Sequence, residues 1–347
     1  MPTIKKPNQH FDATLYTGTN ANQTIVNAGA FKPDFVWVKS RSVGGNPVLV
    51  DSVRGANKVL YSPQTTAEET PTAGTGILSF NSNGFGLGTD ISGTSFGASN
   101  TNGTTFVGWQ WQAGQGTNTT NTAGTVTSTV SVNATAGFSV VLYTGNGGAM
   151  TMGHGLGVAP KLIILKDRDI GRPWPVYHGS LAANQYLILN TTAAAATSTS
   201  YWNNTAPTST VFSVNGLEGN VGASGEKYVA YCWAEVEGYS KFGSYTGNGS
   251  TDGPFVYTGF RPKFVLVKSS SLAGQNWNIF DTSRDTYNVE GQYLATNTSD
   301  AEGTLATLDG LSNGFKIRAS GNYANANGAT YIYMAFAESP FKFSNAR

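Results

Sequence analysis

The amino-acid sequence predicts an all-β fold of three tandem antiparallel β-sandwich repeats, each of about 100 residues. Three observations lead to this prediction. One motif occurs three times along the 347 residues, Asn-Gly pairs separate short hydrophobic runs, and those runs are rich in Val, Ile, Phe, Tyr and Trp. Asn-Gly is a strong hairpin-turn signal, and β-branched and aromatic residues favour strands.

The repeated motif begins with a Tyr-Thr-Gly turn and continues through a proline into a hydrophobic strand that ends in lysine. The turns are Tyr16-Thr17-Gly18, Tyr143-Thr144-Gly145 and Tyr245-Thr246-Gly247, and the strand blocks cover residues 31–39, 158–166 and 260–268. The same number of residues separates the tyrosine from the lysine in all three copies, so no insertion falls between turn and strand. A repeat of this length is the size of a domain rather than of a solenoid unit.

Each copy continues with a second hydrophobic strand, a strand that opens near an Asn-Gly pair, and an aromatic closing strand. The closing strands cover residues 106–111, 228–233 and 331–336. The predicted divisions are an N-terminal tail (1–10), repeat 1 (11–112), a Thr/Asn/Gly-rich linker (113–136), repeat 2 (137–238) and repeat 3 (239–347). We expect residues 126–132 of the linker to lie against a neighbour as an edge strand, and the first repeat to be held more loosely than the closely joined second and third.

Composition and charge argue against two classes of partner. The 21 basic and 20 acidic side chains nearly cancel, and charged residues make up only 12% of the chain. No overall field therefore attracts nucleic acid or an anionic membrane. No segment approaches the run of about 18 apolar residues that a membrane helix needs. We expect no nucleic-acid partner and no membrane insertion, and a buried, inert thiol at the single cysteine, Cys232.

The sequence offers no set of residues that indicates catalysis, so we predict a protein that is not an enzyme and has no catalytic residue, metal or cofactor. His154 lies in a glycine-rich turn that we interpret as exposed, without a second metal ligand at a suitable spacing. His178 takes the position that Asp51 and Asp281 hold in the other copies, which favours a polar turn or cap. Asp51 precedes an arginine by three residues, as does Asp281, and this spacing suits an ion pair that fixes a turn.

Binding is predicted at aromatic residues that the common scaffold does not explain. The tryptophans that fit the repeat are expected in the core; these are Trp37, Trp111, Trp233, Trp174 and Trp277. Trp202 has no tryptophan counterpart in the other copies and lies between Tyr201 and the amides of Asn203 and Asn204. Aromatic rings next to amides are typical of sugar-binding surfaces, so we predict a glycan site at Tyr201, Trp202, Asn203 and Asn204. The alternative is a loop aromatic that fills an interface between units.

The motifs together resemble a known group of proteins. The Tyr-Thr-Gly turns, the Phe-Lys-Pro-Asp-Phe-Val-Trp-Val-Lys block, Ser-Asn-Gly-Phe and the closing run at 331–341 resemble repeat-containing structural proteins of tailed bacteriophages, of the tail-fibre-like type found in marine and cyanobacterial phages. The resemblance covers residues 11–347. It implies a component of the virion, assembled in the host cytoplasm, with other virion proteins as partners.

Our first functional hypothesis is a tail fibre or adhesin subunit, a homotrimer that attaches the particle to the host through surface glycans. The second is a capsid decoration, head-fibre or tail-adaptor protein without receptor contact. The third is a polysaccharide-degrading enzyme, for which only the close acid pairs Glu68-Glu69, Glu235-Glu237 and Asp300-Glu302 are available. The N-terminal tail is interpreted as a docking peptide.

Overall fold

The computed structural model describes residues 4–91 and 98–340. Residues 1–3 of the predicted tail and 341–347 of the predicted third repeat lie outside the described residues. Within them the chain is built from antiparallel strands, and the all-β prediction is confirmed. Helical structure in this part is confined to a 3-10 turn at Pro7–Gln9 and α1 at Gly219–Gly222. No helix in the described ranges is long and apolar enough to cross a membrane.

The strands fall into three successive groups, which we call unit 1, unit 2 and unit 3. Unit 1 contains β1 (Phe11–Thr17), β2 (Gln23–Val26), β3 (Phe35–Ser40), β4 (Val48–Asp51), β5 (Leu60–Tyr61), β6 (Ile77–Asn81), β7 (Gly84–Leu87) and β8 (Thr105–Trp111). One sheet has the order β1-β8-β3-β4-β5, and a second has the order β2-β7-β6.

Units 2 and 3 repeat the pairing of the larger sheet. Unit 2 contains β11 (Phe138–Thr144), β12 (Ala149–Gly153), β13 (Leu162–Asp167), β14 (Pro175–His178), β15 (Gln185–Ile188), β16 (Ala196–Thr197), β17 (Val211–Asn215) and β18 (Lys227–Trp233). Unit 3 contains β19 (Ser240–Thr246), β20 (Phe255–Tyr257), β21 (Phe260–Ser269), β22 (Asn278–Asp281), β23 (Glu290–Ala295), β24 (Gly303–Leu311), β25 (Gly314–Ile317) and β26 (Thr330–Pro340). The orders β11-β18-β13-β14-β15 and β19-β26-β21-β22-β23 match that of unit 1, and β12 pairs with β17 and β20 with β25 as β2 pairs with β7.

Two segments of the predicted linker are strands of a sheet. β9 (Thr119–Asn121) and β10 (Ser128–Asn133) extend the larger sheet of unit 2 beyond β11. Val130 is buried while Thr129 is exposed, as the alternation in this stretch predicts for a strand. The strand is not at the edge of the sheet as expected, because β10 pairs with β11 on one side and with β9 on the other. Ile4 of the predicted tail is buried in the core.

Each unit has a core of its own, and all three share a fourth. In β3 the side chains of Val36 and Val38 face the core of unit 1, whereas Phe35 and Trp37 face the shared core. The strand blocks of units 2 and 3 divide in the same way, with Leu162, Ile164, Phe264 and Leu266 in the shared core. Continuous apolar runs are typical of strands that are buried on both faces.

The shared core is largely aromatic and joins the units directly. The rings of Phe35 in unit 1 and Tyr231 in unit 2 stack with centroids 4.2 Å apart, and those of Phe11 in unit 1 and Phe336 in unit 3 lie 5.0 Å apart. Unit 1 therefore contacts both other units. The expectation of a loosely held first repeat was wrong, because linker length says nothing about the apolar face that each unit must cover.

Candidate functional site

The Tyr-Thr-Gly turn makes the same contacts in each unit. The rings of Tyr16, Tyr143 and Tyr245 stack on Phe106, Tyr228 and Tyr331, with centroids 5.1 Å apart in every case. Each tyrosine hydroxyl donates to a backbone carbonyl about 80 residues later, at 2.6 to 2.7 Å; the acceptors are Ser99, Val221 and Ala324. The glycine is required because a Cβ at Gly18 would lie 2.2 Å from the carbonyl oxygen of Thr101.

The lysine at the end of each strand block reaches a different unit. Lys39 Nζ in unit 1 donates to the carbonyl oxygen of Thr298 in unit 3 at 2.8 Å. Lys166 in unit 2 reaches Thr65 in unit 1 at 3.0 Å, and Lys268 in unit 3 reaches Thr192 in unit 2 at 3.3 Å. The three contacts form a closed cycle, so each unit both gives and receives one lysine. Burial lowers the pKa of all three lysines to about 8.

A set of backbone hydrogen bonds runs around the same cycle. The N–H groups of Glu68, Ala195 and Glu302 donate to the carbonyl oxygens of Arg168, Ser270 and Arg41, each at 2.8 Å. Each bond links a loop after the fifth strand of one unit to the end of the third strand of another. A closed cycle of equivalent contacts is what a three-fold ring requires.

Ion pairs reinforce the junction between units 1 and 2. Arg54 is fully buried and lies 2.5 Å from Asp51 and 3.2 Å from Glu68, measured between nitrogen and oxygen. Arg168 of unit 2 binds the same Glu68 at 2.8 Å, and the hydroxyl of Tyr231 donates to Asp51 at 2.8 Å. Burial alone would raise the pKa of Glu68, but hydrogen bonds from Arg168 and the charge of Arg54 outweigh it and hold the pKa below its usual value.

The junction between units 3 and 1 has an equivalent network. Arg284 lies 2.6 Å from Asp281 and 3.0 Å from Glu302, which also binds Arg41 of unit 1 at 2.8 Å. Trp109 of unit 1 donates its indole N–H to Asp281 at 3.0 Å. The predicted Asp–Arg ion pairs are therefore present, and they also contribute to the contacts between units.

The junction between units 2 and 3 lacks this charge network. At the equivalent positions His178 replaces the aspartate and Leu181 replaces the arginine that pairs with it. Ala195 replaces the glutamate, and Ser270 replaces the arginine of the neighbouring unit. His178 Nε2 donates to the carbonyl oxygen of Tyr333 at 3.1 Å, and Nδ1 accepts the N–H of Ser180 at 3.1 Å. Burial lowers the pKa of His178 to about 4, so its imidazole is neutral near pH 7. The cap interpretation of His178 is confirmed, with an additional contact across the junction.

The structure places the predicted glycan residues differently from the expectation. Trp202 is only 1% exposed and packs on Tyr177 in the core of unit 2, with ring centroids 5.7 Å apart. Tyr201 is buried as well and stacks on Tyr186. Asn203 and Asn204 form a left-handed turn with φ of 50° and 46°, and Asn204 is exposed. The prediction that these rings are exposed was wrong, because an aromatic residue in a loop finds more apolar contact inside its own unit. A sugar contact at the amides of Asn203 and Asn204 stays a prediction.

The other candidate residues have structural partners. His154 is buried rather than exposed; its Nε2 lies 3.2 Å from the carbonyl oxygen of Thr208, and its Nδ1 accepts the N–H of Leu156. Cys232 is buried, and burial raises the pKa of its thiol, as expected for an inert cysteine. The five tryptophans assigned to the core are all buried. No group of acids, histidines and cysteines in the described ranges could hold a metal ion.

One family model matches residues 6–340 of this chain, and it describes the family as a domain of unknown function (DUF7483). The chain belongs to this DUF7483 family. The match spans all three units together with the linker, so the cycle of contacts between units lies within a single family domain. No curated protein and no solved structure matches the chain.

Sequence reasoning missed the contacts between units. The sequence pattern indicates the lysines only as strand ends, Asp51 and Asp281 only as turn residues, and Glu68 and Glu302 only as members of close acid pairs. The signal that could have revealed the contacts is the recurrence of a lysine at the end of each of the three buried strands. A buried lysine must find a carbonyl or carboxylate partner. A single copy cannot show that this partner lies in the next unit.

Proposed function

We propose that this DUF7483 chain is a structural protein of a bacteriophage virion, a tail fibre or adhesin subunit that contributes to host attachment through surface glycans. In this proposal the chain holds three copies of one β-sandwich closed into a pseudo-three-fold ring. The observation that carries it is the cycle of lysine and backbone contacts from each unit to another.

A ring of this kind suits attachment for a physical reason. A cyclic assembly presents one surface several times around an axis, and repeated weak sites gain avidity when they engage together. Three linked copies present related surfaces within one polypeptide, and each copy is free to diverge in its loops. The resemblance to tail-fibre-like phage proteins points the same way.

The homotrimer is proposed with the ring as its building block. Three chains around one axis would place nine sandwich units side by side. Sedimentation equilibrium on the purified chain tests this directly: a mass three times the 36.5 kDa of the chain supports the trimer, whereas a single-chain mass leaves the internal ring as the three-fold element.

Immunogold labelling of intact phage particles with antibody against the chain tests the proposed place in the virion. Label on the tail fibres supports the adhesin. The second candidate, a capsid decoration, head-fibre or tail-adaptor protein, is favoured by the same ring, because a pseudo-three-fold body fits a three-fold position of a shell. Label on the capsid or at the tail junction would favour that candidate, and particles without label would contradict both.

A test of glycan binding at this turn needs a variant that leaves the core of unit 2 intact. Trp202→Ala would remove a buried ring and destabilise unit 2 by about 3–5 kcal/mol, so a loss of binding would be ambiguous. Replacing Asn203 and Asn204 by glycine keeps the left-handed turn and removes only the amides. On a glycan array we expect this double variant to lose signal while its melting temperature stays close to that of the parent; unchanged signal would exclude this turn as the site.

A further inference from the structure

The second strands of the three units, β2, β12 and β20, occupy equivalent places and each pairs with a partner on one side only. We call the other side of each strand its outer edge. In antiparallel pairing, alternate residues turn their backbone N–H and C=O groups toward the partner and away from it. The outward groups belong to Thr24 and Val26 in β2, Thr151 and Gly153 in β12, and Phe255 and Tyr257 in β20.

In unit 2 the outer edge is covered by the linker of the same chain. Val126 donates its N–H to the carbonyl oxygen of Thr151 at 3.1 Å, and Thr151 donates its own N–H to Thr125 Oγ1 at 2.9 Å. Ser128 Oγ donates to the carbonyl oxygen of Gly153 at 2.7 Å, and Val126 forms a parallel bridge with Met152. An extended Thr-, Ser- and Gly-rich segment therefore satisfies the outward groups of this strand.

In unit 3 the equivalent edge has no strand partner among the described residues. The joint between units 2 and 3 is short, so no linker of this kind precedes unit 3. The side chains that flank the open edge are aromatic and unusually exposed: 45% for Phe255 and 61% for Tyr257. The corresponding residues of β12 are threonine and glycine. Exposed apolar rings beside unpaired backbone groups are features of a surface to which another strand adds.

We propose that the outer edge of β20 binds an extended segment of a partner polypeptide, rich in Thr, Ser, Val and Gly, which adds as a parallel strand in the way that residues 121–128 add to β12. The outward groups of Phe255 and Tyr257 supply the main-chain hydrogen bonds. The two rings supply apolar contact with the β-branched side chains of the added segment. This surface would attach the ring to a neighbouring protein, whichever kind of particle or assembly the chain serves.

A fluorescent peptide with the sequence of residues 121–130 is the probe. We expect its anisotropy to rise on titration with the full chain, and hydrogen exchange at residues 255–258 to slow when it is bound. A second peptide, N-methylated at alternate positions, lacks the main-chain donors and is expected not to bind. Equal binding of both peptides, no binding of the first, or protection confined to other segments would each overturn the proposal.

Two variants of the chain localise the contact. Tyr257→Pro removes one outward N–H and leaves the inward bonds to β25, and we expect at least a tenfold loss of affinity. Tyr257→Val introduces the residue that unit 1 has at this position and keeps the N–H, so affinity should fall about threefold or less. If proline unfolds the strand, Tyr257→Lys places a solvated charge on the edge and should give the same loss. If the peptide bound the folded Tyr257→Pro variant, or its replacement Tyr257→Lys, as tightly as the parent, the proposal would be contradicted.

Discussion

At the scale of single residues, the three buried lysines make stability depend on pH. Burial lowers the pKa of Lys39 to about 8, whereas a lysine in the unfolded chain has a pKa of about 10.4. Between these values the unfolded chain binds more protons than the folded one. The free energy of unfolding should therefore rise with pH from 8 toward 10, by on the order of 1 kcal/mol per pH unit for each lysine.

Lys39→Met tests this contribution. The unbranched side chain fills similar space without a charge, so the variant should gain less stability than the parent between pH 8 and pH 9.5. Urea unfolding at several pH values gives both slopes. Tyrosines and Cys232 also titrate in the unfolded chain at high pH, but they are common to both proteins and cancel in the difference. Parallel curves for parent and variant would show that Lys39 is not the source.

The charge network between units 1 and 2 gives a second prediction. Arg54→Leu leaves the buried carboxylate of Asp51 without its cation and weakens the pairing of Glu68, so we expect a loss of about 3–5 kcal/mol in the free energy of unfolding. The chain supplies its own control, because the junction between units 2 and 3 uses a neutral set at these positions. The matched variant combines Asp51→His, Arg54→Leu, Glu68→Ala and Arg168→Ser.

We expect the matched fourfold variant to recover most of the stability that Arg54→Leu loses. The physical reason is that an unpaired buried charge costs more than a pair replaced as a whole. Urea denaturation with tryptophan fluorescence measures both losses on one scale. A fourfold variant as unstable as the single one would mean that the two junctions are not interchangeable.

Single residues also show the limit of sequence reading. The Asp51–Arg54 pair follows from a spacing of three residues, and the structure contains it. The burial of Trp202 does not follow from any local pattern, since a polar loop with an aromatic residue looks the same whether the ring turns outward or inward. Only the position of β14, which brings Tyr177 against it, decides the outcome.

At the scale of elements, the linker segment between β9 and β10 lies against β12 with their backbones in close contact. A Cβ on Gly124 would lie 2.2 Å from the carbonyl oxygen of Thr151, so Gly124→Ala must push the segment away from β12. We expect faster hydrogen exchange at residues 125–130 and a loss of about 1–3 kcal/mol in stability. Gly148→Ala is the control, because its Cβ would meet only the Asn146 side chain at 3.8 Å. Equal protection in the two variants would contradict the docking role of Gly124.

Strands were the most predictable elements. The block at 31–39 contains β3, and the alternation at 126–132 indicated a strand that lies against a neighbour, which is β10. Its predicted place at the edge of the sheet was wrong, because β9 pairs with its other side. The Phe-Val-Trp-Val pattern of β3 also indicates a strand that is buried on both faces. A sandwich strand with one face in water alternates apolar and polar residues, whereas this run is apolar on both faces. The second face needed a partner, but the pattern could not show that this partner is another unit.

At the scale of the whole molecule, the shared core means that the three units pack against one another instead of lying as separate domains along the chain. Rings from each unit meet there, and equivalent contacts join every pair of units. The two junctions that involve unit 1 carry acid–arginine networks, and the junction with the shortest covalent joint has uncharged residues at the equivalent positions. A short tether keeps units 2 and 3 close without an acid–arginine network, which fits the uncharged residues at those positions.

The shared core predicts that the chain unfolds in one cooperative step. Separate domains would melt one by one, but no unit can leave this ring without exposing aromatic surface to water. Calorimetry should give a single transition with a calorimetric enthalpy close to the van't Hoff enthalpy. Phe85→Ala in the core of unit 1 and Phe35→Ala in the shared core form a matched pair, and both should shift that one transition downward. If Phe85→Ala instead split off an early transition for unit 1 alone, the units would be independent and the ring would be only a loose association.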